Sequence, residues 1–406
     1  MRGRLVCNIV ALMLLRLAGL GAKGLPWAGC RWRRPTPVQA FSNAGSAGSR
    51  KGWLAPFCAT AALGLVLGHA AMAQRLTDAG SPARAAVARA GVGRVALSSL
   101  VPSADPLAAQ DLSFDASFAR QAEEYLRSKD GRLFDSLTAS PALAHILAHA
   151  RNFDYDVPKD SPKALVDYLL GPPEQQQQRM SRCEESTAYF SGPMLSDPHW
   201  VGDALRYLPA DFRFHGSLFL TFGYDIGVAF GGNASLNCTH AHFSHPRELL
   251  YYAIHELHHA GFMAYQRPPK LADIRSCADL LRLVEYSTQL EGMAVLAAFR
   301  HRRQDGALGD DPDYVALQNQ PRMQVLLRAY FHDYDYLKGR GREPADEAAW
   351  AVVHRMSSGD RLWYRVGAYM AHRIEARQGR DALVALVQQG PARFVAAYQS
   401  LSSPGH

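Results

Sequence analysis

One segment constrains this chain more than any other: ELLYYAIHELHHAGFMAY, residues 248–265. No proline interrupts it before Pro268, and Gly261 is its only glycine. Pro246 suits the start of a helix, and Glu248 suits the positive end of a helix dipole. Within the helix stands an H-E-x-x-H pattern, His255-Glu256-Leu257-His258-His259. Residues four apart share a helix face, so His255 and His259 turn two imidazoles toward one point. Glu256 lies beside that point. The pattern reads as two ligands for one zinc ion with an adjacent general base. The bland alternative is two histidines on a half-buried helix. His258, three residues from His255, is expected behind the ligands or at the surface.

A catalytic zinc site usually has three protein ligands and one open position. A second helix is expected over SCADLLRLVEYSTQLEGMAVLAAFRHR, residues 276–302, and it carries Glu285 and Glu291. At 100° per residue the two lie about 240° apart, so both cannot face one metal. Glu291 stands in Glu291-Gly292-Met293-Ala294. H-E-x-x-H followed one helix later by E-G-x-A resembles the gluzincin metallopeptidases, the thermolysin-like and aminopeptidase-like clan. The resemblance implies that Glu291 is the third zinc ligand and that the small residues beside it let the two helices approach closely. Glu285 is then expected to hold a ligand histidine or to be solvated. The metzincin pattern needs a further histidine where this chain has Tyr265, so it does not apply.

The formal charge of +7 has a local origin. Residues 1–73 hold nine Lys or Arg and no acid; the remainder has 35 basic and 37 acidic residues. No nucleic-acid partner is expected. Arg50-Lys51, the apolar run that follows, and Ala71-Met72-Ala73 before Gln74 read as a bacterial secretory signal. Cleavage near Ala73–Gln74 predicts a periplasmic or secreted protein without stable membrane insertion. An uncleaved anchor is the runner-up, and translation is expected to begin near residue 50. Cys7, Cys30 and Cys58 would leave with the leader. Cys183, Cys238 and Cys277 would remain, room for one disulfide and a free thiol in an oxidising compartment. Oligomeric state is not readable.

Residues 74–110, rich in Ala, Gly, Ser and Pro, read as a flexible lead-in. From about 112 the pattern turns helical, with a break at Gly171-Pro172-Pro173 and the glutamines 175–178. Residues 111–210 are therefore expected to form a helical N-terminal subdomain, and 211–406 a zinc metallopeptidase-like catalytic region. FRFHGSLFLTFG, from Phe212, alternates as a strand does. YDIGVAFGGNASLNCTH follows as a glycine-punctuated strand or hairpin. Gluzincins place there a sheet whose edge strand binds substrate backbone. Gly231-Gly232 serves either that role or an ordinary β-bulge. Beyond 300 the chain reads as all helix, and its last stretches resemble those of secreted bacterial zinc-dependent peptidases. The fold class expected is α+β, mostly helical: a small sheet whose edge strand precedes the H-E-x-x-H helix, then a helical C-terminal lobe.

The resemblance implies exported peptide-bond hydrolysis. Zn2+ on His255, His259 and Glu291 would activate a water, with Glu256 as general base. A Tyr from the C-terminal region, Tyr364 first and Tyr369 next, would donate to the oxyanion. The partner expected is a peptide or protein substrate. Two other classes stay open: an exported zinc-binding or scaffold domain without turnover, and a zinc hydrolase with a non-peptide substrate.

Overall fold

The computed structural model describes the backbone at Val95–Ala96 and residues 110–402. The leader, its cleavage site, Cys7, Cys30, Cys58 and nearly all of the lead-in lie outside the described residues. The fold is α+β and mostly helical, with one small mixed sheet. Its strands are β1 (Val95–Ala96), β2 (Asp111–Asp115), β3 (His215–Thr221), β4 (Gly227–Phe230) and β5 (Asn233–Asn237), in the order β1-β2-β3-β5-β4. Strands β2, β3 and β5 run parallel, and β1 and β4 are antiparallel to their neighbours.

The segment 111–210 therefore opens with a strand, where a helical pattern was expected from about 112. Leu112 and Phe114 are buried, and the alternate residues Asp111, Ser113 and Asp115 are exposed or half-buried, the period of a strand. Strand β2 pairs with β3 about a hundred residues later, which ties this segment into the sheet. Five helices follow: α1 (Ser117–Ser128), α2 (Gly131–Thr138), α3 (Pro141–Asn152), α4 (Pro162–Leu170) and α5 (Pro173–Ser191). Helices α3 and α4 start by a shared rule. Ser140 and Ser161 accept hydrogen bonds from the backbone N–H three residues on, and proline fills the first turn. The expected break narrows to Gly171-Pro172. Gln175–Gln178 belong to α5, because glutamine is a good helix former and these turns face mostly solvent.

Two short helices, α6 (Pro193–Ser196) and α7 (Val201–Leu205), lead back to the sheet. Gly231 and Gly232 join β4 to β5 as a two-residue hairpin turn, both at positive φ (60° and 82°). A hairpin of this kind needs left-handed backbone at both positions, so the pair is a turn and not a bulge. The two long helices come next, α8 (Arg247–Tyr265) and α9 (Cys277–Gln304). Helix α9 begins with a capping box between Ser276 and Asp279. The C-terminal lobe is α10 (Pro312–Gln318), α11 (Gln320–Gly339), α12 (Glu347–Ser357), α13 (Leu362–Gln378), α14 (Arg380–Gln389) and α15 (Pro391–Ser402). Asn319 divides α10 from α11 and caps the second. One continuous apolar core runs from Leu112 to Tyr398, so the N-terminal helices and the C-terminal lobe share it. Cys183 on α5 is bonded to Cys238 just past β5, and Cys277 is a buried free thiol. Among the described residues no helix is long and apolar enough to cross a membrane.

Candidate metal centre

Helices α8 and α9 lie antiparallel, as their side-chain pairs show. Near one end Arg302 Nη1 and Nη2 donate to Glu248 at 2.8 and 2.5 Å, and the Tyr251 hydroxyl donates to Asp305 at 2.7 Å. Near the other end Phe262 packs edge-on against Tyr286. Between these ends His255, His259 and Glu291 meet. The Nε2 atoms of His255 and His259 stand 3.2 and 3.1 Å from Glu291 Oε2. One ligand atom from each of the three residues lies within 4.8 Å of the other two.

This arrangement suits a metal ion. Ligand bonds of about 2.1 Å at tetrahedral angles set ligand atoms about 3.4 Å apart. The observed spacings are close to that, and two imidazoles with one carboxylate form a donor set of the zinc-hydrolase kind. The charges of the protein alone agree. Burial and the charge of His259 push His255 down to about 4, so that imidazole is neutral. Burial opposes ionisation of Glu291, but the two histidines outweigh it and hold the carboxyl well below its usual range. Burial would also lower His259, yet the facing Glu291 raises it. The three groups thus shift one another's charge around one point.

The triad opens into a cavity of about 150 Å³ between α8, α9, β4 and the start of α13. Glu256 lies in its wall, with no hydrogen-bond partner among the described residues. Burial pushes its carboxyl up to about 8, opposed by His259 and helped by Glu291 and Asp225. Beside it, β4 is the sheet edge and starts at Gly227. Tyr364 stacks on His255, with ring centroids 6.4 Å apart and planes 12° from parallel. Burial, with the charge of Glu291, raises its hydroxyl well above the usual value, so it is a proton-bearing donor at neutral pH. The Arg361 guanidinium lies 3.6 Å from the Tyr364 ring centroid and pairs with Asp313.

Several expectations change. His258 is neither an outer neighbour of the ligands nor at the surface. It is fully buried against α7, where Nδ1 donates to the Ala204 carbonyl at 3.0 Å. Glu285 neither holds a ligand histidine nor faces solvent. It is buried and accepts the Tyr334 hydroxyl at 2.7 Å, while His259 Nδ1 is buried without a hydrogen-bond partner. Tyr369 is not in the cavity wall; its hydroxyl accepts from Gln320. Gly292 does give a close helix approach, but to α13: a Cβ there would meet Gly367 backbone at 2.2 Å. Sequence reasoning missed Asp225, Gly227 and Arg361, which reach the cavity through long-range packing that leaves no local pattern. A second group, His242, Glu248 and Asp311, has the right atoms for a cation. The buried Arg302 guanidinium already fills that place, sandwiched between the Tyr251 and Tyr314 rings.

The sequence pattern of one known family, described as "Putative zinc dependent peptidase (DUF5700)", matches residues 200–402, half of the chain. The matched part holds both long helices, the edge hairpin and the C-terminal lobe. No curated protein and no solved structure matches the chain.

Proposed function

Because the chain belongs to the family described as "Putative zinc dependent peptidase (DUF5700)", we propose that it is an exported zinc metallopeptidase of gluzincin type. The observation that carries this reading is the convergence of His255 Nε2, His259 Nε2 and Glu291 Oε2, with Glu256 in the wall of the same cavity. These three residues would hold one zinc ion. When bound, zinc supplies a Lewis acid that makes water acidic near neutral pH and polarises a carbonyl. Glu256 takes the proton of the attacking water and delivers it to the leaving amine. The Tyr364 hydroxyl donates to the carbonyl oxygen as negative charge grows there. Edge strand β4 offers backbone groups along which an extended peptide lies.

Export is supported by the leader pattern of residues 50–73 and by the Cys183–Cys238 disulfide, a bond that persists in oxidising compartments. A peptide-library digest with the purified protein, with and without chelator, tests the activity. Cleavage that chelation abolishes and zinc restores is expected, with about one zinc per chain by plasma emission. His255→Ala, His259→Ala and Glu291→Ala should each lose that zinc, and Glu285→Ala should keep it. Zinc retained by Glu291→Ala but lost by Glu285→Ala would overturn the ligand set. Full zinc with no cleavage would favour a binding domain or a non-peptide substrate.

A further inference from the structure

Five acids line the cavity: Asp225, Glu256, Glu291, Asp311 and Asp313. Four have an evident task. Glu291 faces the two histidines, and Glu256 is the proposed base. Asp311 lies against Arg302 and His242, and Asp313 pairs with Arg361 and Arg365. The lining cations are thereby committed as well. Asp225 is different. Its Oδ2 accepts the Tyr155 hydroxyl at 2.8 Å, and its Oδ1 accepts the Ile226 N–H at 2.8 Å. Among the described residues no Lys, Arg or His forms an ion pair with it. The one positive charge that acts on it, Arg361, is paired with Asp313 and offsets only part of the cost of burial. A carboxylate withdrawn from water without an ion-pair partner is costly, and chains rarely keep one idle.

Its setting is built. Asp225 lies two residues before Gly227, the residue of the edge strand that packs on Glu256. Tyr224, next to it, is held at φ 82°, a backbone region an aromatic residue rarely adopts. The Tyr224 hydroxyl meets His149 Nδ1 at 2.9 Å, and rings of His149, Tyr155 and Tyr224 pack together. His149 and Tyr155 belong to the N-terminal region, outside the family-matched residues 200–402. This region therefore clamps the loop that presents Asp225 to the cavity.

We propose that Asp225, positioned by Tyr155, is the specificity-determining acid of the cavity and receives an alkylammonium group of the substrate. The ammonium comes from the free chain end or from a lysine side chain. Burial pushes the Asp225 carboxyl up to about 6, and an arriving cation would favour its charged form. The proposal rests on the metallopeptidase reading for the peptide nature of the ligand.

Binding to the zinc-loaded full-length Glu256→Gln protein tests it without turnover. Three apolar peptides of one length serve as probes: one with a free amino terminus, one N-acetylated, and one N-acetylated with a single internal lysine. Calorimetry should show a cationic peptide binding at least about tenfold tighter than the neutral one. Asp225→Asn should abolish that preference and leave the neutral peptide unchanged; Tyr155→Phe should weaken it. Which cationic peptide is preferred identifies the source of the ammonium. Equal binding of all three, including no binding, overturns the proposal, as does a preference that survives Asp225→Asn. Should Asp225→Asn fail to fold, the same comparison with Tyr155→Phe decides. The activity reading is judged separately, from hydrolysis of the same peptides by the wild-type protein. An Asp225-dependent preference without any hydrolysis would sink that reading alone.

Discussion

A Cβ added at Gly227 would stand 2.8 Å from both Cγ and Oε1 of Glu256, so this glycine leaves the room in which the proposed base sits. Gly227→Val should therefore displace the Glu256 carboxylate without touching a metal ligand. Small misplacements of reacting groups cost about a hundredfold in rate. Hydrolysis is expected to fall by roughly that factor while zinc content by plasma emission stays at the wild-type level; wild-type turnover in this variant would contradict the placement of Glu256. At this scale the sequence was legible where chemistry follows the period of one helix. His255, Glu256 and His259 needed only a four-residue spacing; helix period separated Glu291 from Glu285, and the E-G-x-A resemblance chose between them. Asp225 and Gly227 were not legible, because strand pairing and packing against α3 bring them to the cavity. His258 looked ambiguous because helix spacing gives a direction but not what packs there.

Helix α9 carries Glu291 on one side and crosses α13 on another, and glycines make the crossing close. A Cβ at Gly367 would meet the Thr288 carbonyl oxygen at 2.2 Å, and one at Gly292 would meet Gly367 backbone at 2.2 Å. Backbone cannot yield as a flexible side chain does. Gly292→Ala and Gly367→Ala are each expected to lose about 1–3 kcal/mol, the usual cost of overpacking, as a lower urea midpoint. Unchanged midpoints would mean that the two helices are not in this contact. Tyr364 lies one turn before Gly367 on α13, so this crossing also sets how the tyrosine meets His255. The two long helices were readable, because each keeps one apolar period over five turns or more without proline. Strand β2 was not: it is five residues long, and its partner β3 lies far along the chain.

Across the whole molecule, a buried charge group ties the start of α8 to the end of α9 and to the loop before α10. His242 Nε2 faces Glu248 Oε2 at 3.4 Å and Asp311 Oδ2 at 3.6 Å, as ion-pair contacts. Burial would lower its pKa, but the two carboxylates outweigh this and push it up to about 9. A folded pKa above the unfolded value of about 6.5 stabilises fully below 6.5, and the gain is lost as pH rises through 9. The urea midpoint of the wild type should therefore fall more between pH 6.5 and 9.5 than that of His242→Gln; parallel curves would contradict the assignment. The overall class, a mostly helical α+β chain with an edge strand before the motif helix, was legible from period and glycine placement. The single core joining residues 111–199 to the C-terminal lobe was not, since only packing reveals which apolar faces meet. The proposed function turns on Glu256 as the group that moves a proton and does not hold the metal. Its decisive measurement is peptide hydrolysis by Glu256→Gln protein carrying a full complement of zinc. The account predicts a loss of at least about a hundredfold against the wild type at equal zinc content. Cleavage of the same peptide at near wild-type rate would contradict it.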